Sequence, residues 1–288
     1  MAGRSALARK QRRRDTALAA LFLLPSAATF GYFAFYPLVK TVRYGLYRST
    51  AIGRYRYVGW KQYTDVLTGD NFRQGVMHSA TYVLYSAPAG LVLGTLLAVA
   101  ANRRIRGIKI FQAIFSSTIA TSVAVASLIF FVLINKQTGV FRVGWLDDPK
   151  LALFGVSLSS IWQNLGLSFV IVLAGLQAVP EEVLEAATLD GYGPIRRFFK
   201  VTLPLLSPVL MFLVVVLVVF GFQAFAQIEI LTNGGPARTT ETLVFKIFSA
   251  RNGNLGEAAV LSIGLFVLTF VVTLIQFAIL DRRVHYGT

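Results

Sequence analysis

The chain has 288 residues, of which 55% are hydrophobic and only 14% are charged, and it contains no cysteine. A soluble domain would carry roughly 25% charged residues, so this composition indicates a protein whose solvent is the lipid bilayer. The lack of cysteine excludes disulfides, thiol redox chemistry and cysteine-ligated metals. The formal net charge is +15. In so apolar a chain, basic clusters are expected to set membrane topology and contact anionic lipid headgroups rather than nucleic acid.

Six charge-free apolar stretches each exceed the length of about 18 residues that a helix needs to cross a membrane. The sequence therefore predicts an all-α, polytopic integral membrane protein with six transmembrane helices. The predicted spans are residues 17–36, 80–101, 110–134, 151–178, 205–228 and 258–280. A basic segment, residues 1–16, precedes the first span, and a short tail, residues 281–288, follows the last.

The first stretch also fits a cleaved signal peptide, since a basic segment precedes it and Ser26-Ala27-Ala28 supplies small residues. The apolar run continues past these residues to Phe35 and beyond, which favours an uncleaved span. Six spans place both termini on one side of the membrane. Compact basic clusters at 103–106 and 282–283 favour the cytoplasmic side for both termini, because short cytoplasmic loops are enriched in Lys and Arg.

A polar stretch, residues 181–208, lies between the fourth and fifth spans and carries its own amphipathic pattern. Pro180 is expected at the first helical position, followed by two glutamates that favour the positive end of a helix. Asp190-Gly191 predicts a helix end, since glycine accepts a left-handed turn. Pro194 can begin a second short helix, which Leu203-Pro204 closes. The pattern thus predicts two short helices bent at a glycine, and the alternative is a plain solvated loop.

The same stretch resembles the cytoplasmic EAA signature of permease subunits in ATP-binding-cassette importers. The matching residues, in register over twenty positions, are Glu185, Ala186, Ala187, Asp190, Gly191, Phe198, Leu203 and Pro204. Tyr192 departs from the signature, because the family usually has a small residue there. The resemblance implies the type I importer permease fold, with a cytoplasmic coupling loop, residues 181–204, that docks on an ATPase.

This resemblance also implies partners and a source of energy. A second homologous permease subunit would complete the pathway, and two cytoplasmic ATPase subunits would bind ATP and Mg²⁺. An extracytoplasmic binding protein would deliver the solute. The membrane would be the inner membrane of a bacterium. The chain itself has no GxxxxGK[ST] loop, no GxSxG motif and no ligand cluster around His78 or His285. We therefore expect a non-catalytic subunit that binds no metal or cofactor of its own.

Several further fragments indicate which branch of this family the chain resembles and which solute that branch carries. GLYRST, FSSTIATSVAVASLIFF, GFQAFAQIEILTNGGP and the terminal DRRVHYG are similar to the first permease subunit of uptake systems for sn-glycerol-3-phosphate, which also handle glycerophosphodiesters. YVGWKQY and the Gly-Pro turn in residues 231–240 are similar to the carbohydrate-uptake branch, so a sugar or oligosaccharide is the alternative solute. In that branch the loop after the fifth span lies near the docked binding protein. Its candidate contact residues here are Asn233, Gly234, Gly235 and Pro236.

Uncharged polar residues occur at helical spacing in two spans. They are Ser157, Ser160, Asn164 and Ser168 on one face of the fourth span, with Gln163 beside them, and Gln223 and Gln227 in the fifth. Such stripes are commonly hydrogen-bonding seams between helices. The alternative is a polar passage for a hydroxylated solute, lined by the four amide side chains of this set. Glu229, just beyond the fifth span, is then a candidate gate or a contact to the binding protein.

Residues 55–67 mix aromatic and basic side chains, which predicts an interfacial helix anchored by Tyr57, Trp60 and Tyr63, with contact to an external partner as the alternative.

Two other functions are alternatives to transport driven by a partner ATPase. A membrane-embedded transferase would need a carboxylate or metal cluster, and Asp147-Asp148 is more simply a turn. A channel or secondary carrier of the ion-coupled kind would need a charged relay, which the spans lack.

Overall fold

The computed structural model describes residues 2–49, 55–103, 105–251 and 253–280; the predicted tail, residues 281–288, lies outside them. The fold is helical, with one small hairpin. The helices are α1 (Ala2–Phe30), α2 (Tyr36–Tyr44), α3 (Lys61–Leu67), α4 (Asp70–Ala101), α5 (Ile108–Ser116), α6 (Val123–Ile134), α7 (Ala152–Gln177), α8 (Glu181–Leu189), α9 (Pro194–Arg197), α10 (Leu203–Leu205), α11 (Ser207–Phe222), α12 (Ala226–Leu231), α13 (Leu243–Arg251) and α14 (Leu255–Leu280). Strands β1 (Tyr47–Ser49) and β2 (Tyr55–Tyr57) pair antiparallel.

Within the described residues, four helical segments are long and apolar enough to cross a membrane, and two bent pairs bring the number to six. The single segments are Leu18–Tyr44, Asp70–Ala101, Ala152–Gln177 and Leu255–Leu280. The bent pairs are Ile108–Ala120 with Val123–Ile134, and Pro194–Leu205 with Ser207–Phe222. The predicted all-α polytopic class is thus confirmed, and each predicted span coincides with helical structure.

The first two spans are longer than predicted. A π-helical turn, Gly31–Phe35, joins α1 to α2, so the helix continues to Tyr44 instead of ending at residue 36. The helix extends beyond the predicted span because a cation such as Lys40 near a span end does not stop a helix: its long side chain can reach the interface. α4 begins at Asp70 rather than at residue 80, directly after Gly69 in an extended conformation.

The third and fifth spans are bent rather than straight. The third turns by 105° before α6, whose start is capped by Ser122 Oγ, which accepts a hydrogen bond from the Val125 N–H at 3.3 Å. The fifth bends by 69° between α10 and α11. Its helix α11 ends at Phe222, six residues before the predicted end of the span. Hydropathy gives no signal for either break, because the hydroxyl residues Thr121 and Ser122 and the prolines Pro204 and Pro208 interrupt the apolar runs without adding charge.

Residues 55–67 do not form a single interfacial helix. They comprise β2 and α3, and the alternation Tyr-Arg-Tyr has the period of a strand. Tyr57 and Trp60 are exposed, whereas Tyr63 is buried, and its hydroxyl donates to the Val42 carbonyl at 2.8 Å. Burial raises the pKa of this hydroxyl. Tyr63 therefore ties α3 to α2 and is not the lipid-interface anchor that was predicted.

The central helix contact joins α4 to α7, and two glycines of α4 allow it. A methyl group added at Gly90 would lie 2.6 Å from Asn164 Cβ, and one at Gly94 would overlap the Ser168 side chain. Small residues let helix backbones approach closely in membranes. Larger residues at these two positions would push apart the helices that hold the polar stripe of α7.

Two apolar clusters pack along this contact. We define the hairpin end of the bundle as the end with β1 and β2, and the elbow end as the end with α8 and α9. The cluster toward the hairpin end includes Tyr82, Val156 and Ile228, and the cluster toward the elbow end includes Ala98, Phe169 and Leu213. Between the two clusters, at mid-height of α4 and α7, lie the polar side chains of Ser86, Ser160 and Asn164.

Candidate functional site

The segment 181–205, which we name the elbow, begins where the backbone leaves α7. Pro180 has φ −58° and ψ 134° and precedes α8 as its N-cap, one position earlier than predicted. Glu181 and Glu182 occupy the first turn of α8. Carboxylates there interact favourably with the positive end of the helix dipole, so the sequence itself favours a helix start at this point.

Gly191 ends α8 in a left-handed conformation, with φ of 78°. The Gly191 N–H donates to the Thr188 carbonyl, and the Tyr192 N–H donates to the Ala187 carbonyl, both at 3.0 Å. This pair of bonds satisfies carbonyls at the helix end and strongly favours glycine, which has no Cβ. The structure therefore contains the bend that Asp190-Gly191 predicted.

Two side-chain contacts hold the second arm of the elbow against the first. Arg197 Nη1 donates to Thr188 Oγ1 at 2.9 Å. The guanidinium of Arg196 lies over the ring of Tyr192, 4.5 Å from its centroid. Tyr192, which departs from the family signature, thus packs at the bend. Sequence reasoning did not identify these partners, because their pairing depends on the angle between the two arms.

The second arm runs from Pro194 to Leu205 and ends at a bend one residue after Leu203-Pro204, where the sequence predicts its closure. α9 continues through a π-helical turn, Phe198–Thr202, into α10. Pro204 fits there because it lies at the start of α10, where a missing N–H costs little. Leu206, at the 69° bend, is only 1% exposed. Helical backbone with one anchored bend therefore connects the elbow to the fifth span.

The elbow exposes a mixed acidic and apolar surface. Of the signature residues, Glu185, Ala186, Asp190 and Gly191 are exposed, Phe198, Leu203 and Pro204 are half-buried, and Ala187 is buried. Three large apolar side chains of the same short segment project outward: Leu189 is 88% exposed, Ile195 76% and Phe199 61%. Such exposure on a polar segment is typical of a surface that a partner protein covers.

At mid-height of the bundle, polar and apolar side chains line an open cavity of about 380 Å³. The four amides predicted as candidate lining residues, Gln163, Asn164, Gln223 and Gln227, all lie on its wall. Ser86 from α4 and Thr118, just before the bend of the third span, also line it. These two were missed, because a single Ser or Thr in an apolar run carries no periodic signal.

One hydroxyl connects three helices at the cavity wall. Ser160 Oγ of α7 lies 2.6 Å from the Tyr82 hydroxyl of α4 and accepts a hydrogen bond from Gln227 Nε2 of α12 at 3.0 Å. Ser157 instead donates to a carbonyl of its own helix, and Ser168 Oγ is buried without a hydrogen-bond partner among the described residues. The seam interpretation therefore holds for Ser160 and not for the whole stripe.

Two of the four amides remain available to a solute. Gln163 Nε2 donates to the Thr121 carbonyl at the bend of the third span, at 3.0 Å. The side-chain amides of Asn164 and Gln223, by contrast, make no hydrogen bond within the described part of the chain and line the cavity. Amide and hydroxyl groups both donate and accept hydrogen bonds, so this wall suits a solute rich in hydroxyl groups.

The loop after α12 forms the hairpin-end surface near the cavity. Glu229 is exposed on α12 and does not belong to the cavity lining. Of the four candidate binding-protein contacts, Asn233 is exposed, Gly235 and Pro236 are half-buried, and Gly234 is buried. The Gly235–Pro236 peptide bond is cis.

An ion cluster around the half-buried Glu241 holds this loop against α4 and α13. Glu241 accepts hydrogen bonds from Arg238 Nε at 2.9 Å and from Lys246 Nζ at 3.1 Å. Lys246, which is 3% exposed, also donates to Asn71 Oδ1 at 2.7 Å. Burial alone would raise the pKa of Glu241, but the hydrogen bonds from Arg238 and Lys246 outweigh it and lower the pKa. Sequence reasoning missed this cluster, although a lone lysine in an apolar helix was a usable signal.

Comparison with known families gives one match over most of the chain. Residues 90–286 match the family described as binding-protein-dependent transport system inner membrane component. The chain is 32% identical over 280 residues to the sn-glycerol-3-phosphate transport system permease protein UgpA of Agrobacterium fabrum, covering 93% of this chain and 96% of the relative. It is 31% identical over 281 residues to UgpA of Yersinia pestis, covering 92% and 95%.

Solved structures show the same fold. One of these is a bacterial alginate ABC transporter in complex with an alginate pentasaccharide-bound periplasmic protein. The chain superposes on one of its chains with a TM-score of 0.81 and 20% identity, and the match covers 97% of this chain and 99% of the other. A structure of a bacterial ABC transporter that imports alginate gives a TM-score of 0.79, also at 20% identity, with 95% and 98% covered.

The Glu241 cluster predicts a pH-dependent stability. A carboxylate with a lowered pKa stabilises the folded state above its unfolded pKa of about 4.3, and this contribution is lost as the pH falls through the lowered value. At pH 7 we expect Glu241→Gln to lower the unfolding temperature in detergent by a few degrees. The difference from wild type should shrink toward pH 3. Glu229→Gln, at an exposed position, is the control, and a difference that stays constant between pH 7 and pH 3 would contradict the assignment.

Proposed function

We propose a specific transport role for this chain, which belongs to the family of inner membrane components of binding-protein-dependent transport systems. Membership of this family confirms the resemblance carried by the signature at residues 185–204. The proposed role is that of a permease subunit that forms, together with a second homologous permease, the pathway for a solute delivered by an extracytoplasmic binding protein. Two cytoplasmic ATPase subunits supply the energy, and this subunit performs no catalysis and binds no cofactor.

The geometry of the elbow is the observation that carries this proposal. Its exposed face, centred on Glu185 and Leu189, is proposed to dock on the ATPase in the cytoplasm, with both chain termini on the same side of the membrane. Helical backbone leads from the elbow through one bend at Leu206 into α11, whose last turn reaches the cavity at Phe220 and Gly221. A displacement of the elbow is therefore expected to tilt the helix that forms part of the cavity wall.

The energetics require two conformations with different partners. A ligand shifts a conformational equilibrium only through its different affinities for the two states. In this proposal, bound nucleotide favours one arrangement of the paired elbows, and the loaded binding protein, acting near Asn233 and Glu229, favours the arrangement that receives the solute. The Glu241 cluster would keep the hairpin-end loop in place while the helices move.

For the solute, we propose sn-glycerol-3-phosphate or a glycerophosphodiester. The support is the similarity to two permease proteins of sn-glycerol-3-phosphate transport over more than nine-tenths of the chain. Gln163, Asn164, Gln223 and Gln227 are proposed to contact the solute, with the two unpaired amides binding its hydroxyl groups.

A sugar or oligosaccharide is the second candidate solute, and one observation favours it. The cavity lining contains no charged side chain within the described residues. Phosphate groups are bound most strongly by arginine and lysine, so a neutral lining suits an uncharged polyol better. Competition for uptake by unlabelled sn-glycerol-3-phosphate and by unlabelled sugars separates the two candidates.

Two glycines of the elbow provide a matched test of coupling. An added Cβ meets no atom within 4 Å at Gly191 or at Gly193, but φ is 78° at Gly191 and −64° at Gly193. Valine at the left-handed position is strained by at least about 1–2 kcal/mol, whereas valine before Pro194 fits the extended backbone there. In the reconstituted transporter we expect Gly191→Val to reduce uptake roughly tenfold at unchanged membrane insertion, and Gly193→Val to have little effect.

The measurement is solute uptake together with ATP hydrolysis in proteoliposomes that contain the complete transporter. Hydrolysis that continues without uptake in Gly191→Val is the expected sign of uncoupling. Equal uptake by the two valine variants would show that the shape of the bend does not matter for coupling.

Gln223 allows a test of the cavity that leaves internal hydrogen bonds intact. Its side chain has no partner within the described residues, so Gln223→Leu removes only contacts to a solute. Loss of one such hydrogen bond is expected to raise the KM of uptake about three- to tenfold. Gln137→Leu, at an exposed position between α6 and α7, is the control. An unchanged KM in Gln223→Leu would remove Gln223 from the pathway.

A further inference from the structure

A second cavity, also about 380 Å³, lies at the hairpin end, outside the polar centre of the bundle. One wall is α2, which contributes Tyr36, Lys40, Arg43 and Tyr44, and the other is the hairpin, which contributes Tyr47 and Tyr55. Two cations and four tyrosines thus face a common space. No residue of this cavity lines the mid-height cavity, so the two sites are separate.

The sequence places this cavity at the depth of the lipid headgroups. The charge-free stretch 17–36 ends at Tyr36, and Lys40 follows four residues later, about 6 Å further along the helix. Tyrosine is enriched at this level, where its ring contacts acyl chains and its hydroxyl meets water. Tyr36 is 57% exposed and Val39 59% exposed on the surface of the bundle, so lipid can reach the cavity from the side.

The two cations of this cavity are not neutralised by any carboxylate that the structure describes. Other cations at the hairpin end pair with carboxylates: Arg48 lies 3.7 Å from Asp65, and Lys246 lies 3.1 Å from Glu241. Neither Lys40 nor Arg43 has a carboxylate partner among the described residues, and no acidic side chain lines the cavity.

Aromatic rings hold the lysine in place. Lys40 Nζ lies 5.8 Å from the centroid of the Tyr36 ring and 5.7 Å from that of the Tyr44 ring. Cation–π attraction at such distances positions an ammonium group without cancelling its charge. Arg43 lies one turn further along the same face of α2. The pair therefore presents a fixed positive charge beside a guanidinium that can bind two oxygens at once.

We propose that this cavity is a binding site for a phosphate ester anion, held by Lys40 and Arg43 and enclosed by the four tyrosines. The chemistry fits two sources: the headgroup of an anionic glycerophospholipid in the leaflet around α2, or a soluble phosphate ester at the same face. The anion would join α2 to the hairpin. This site is independent of the transported solute and of the elbow.

The test measures binding to the full-length chain in its assembled complex, purified in a neutral detergent, by native mass spectrometry. The probes are short-chain phosphatidylglycerol, short-chain phosphatidylcholine of the same acyl length, and methyl phosphate, a soluble ester that is not the proposed solute. Wild type is compared with the double variant Lys40→Gln/Arg43→Gln. Its matched control is Arg56→Gln/Lys61→Gln, which removes the same charge from exposed residues at the same end that do not line the cavity.

We expect the cavity variant to bind the anionic probe at least about tenfold more weakly than wild type, and the control variant to change affinity by less than about twofold. Loss confined to phosphatidylglycerol identifies the lipid as the source, and loss confined to methyl phosphate identifies a soluble ester. Equal binding of both anionic probes by wild type and the cavity variant would overturn the proposal. Equal weakening by both variants would also overturn it, because the effect would then be one of general surface charge.

Discussion

The left-handed turn at Gly191 fixes the direction of the chain between the fourth and fifth spans, and the proposed coupling depends on it. Two backbone hydrogen bonds close α8 there, and Arg197 joins the second arm back to Thr188. A residue with a Cβ would strain the backbone at φ of 78° even though the surrounding space is open. The turn therefore acts through backbone conformation and not through packing.

The elbow and the mid-height cavity belong to one continuous structure. From the elbow the backbone continues into α11, which packs on α7 near its elbow end: a methyl group added at Gly175 would lie 3.0 Å from Leu206 and 3.1 Å from Val209. α7 in turn is held against α4 by the contacts of Gly90 and Gly94. In the proposed mechanism, a force on the elbow would reach the amides of the cavity through these close contacts, since a closely packed interior transmits strain.

The spans and the bend of the elbow were predictable because each is determined by residues that are close together in the sequence. Hydropathy located six spans, and Asp190-Gly191 located the bend, since both signals depend on neighbouring residues. The four amides were selected by helical spacing and do share one cavity. Gln223 and Gln227 line the same cavity as the polar face of α7. This juxtaposition depends on how the helices cross, and a single sequence does not reveal the crossing.

The features that were missed depend on contacts between distant segments. The break near Thr121 lies in a run of hydroxyl residues that contains no proline or glycine, so its angle depends on contacts such as the hydrogen bond from Gln163 to the Thr121 carbonyl. The partners of Lys246 come from α4 and from the loop before α13, and the site of Lys40 and Arg43 needs the hairpin folded over α2. Tyr63 was assigned to the lipid interface because aromatic residues are common there, yet it is buried against α2.

The most direct measurement of the central claim uses the fact that the chain contains no cysteine. Leu189→Cys places a thiol on the elbow at a position that is 88% exposed, and Phe141→Cys places one at the hairpin end at a position that is 66% exposed. Each variant is treated with a membrane-impermeant maleimide in inside-out and in right-side-out vesicles. Labelling of Leu189→Cys only in inside-out vesicles, with protection by the bound ATPase, and of Phe141→Cys only in right-side-out vesicles is the predicted result. Labelling of Leu189→Cys from the outside, or labelling that the ATPase does not reduce, would contradict an elbow that couples ATP hydrolysis to the transmembrane helices.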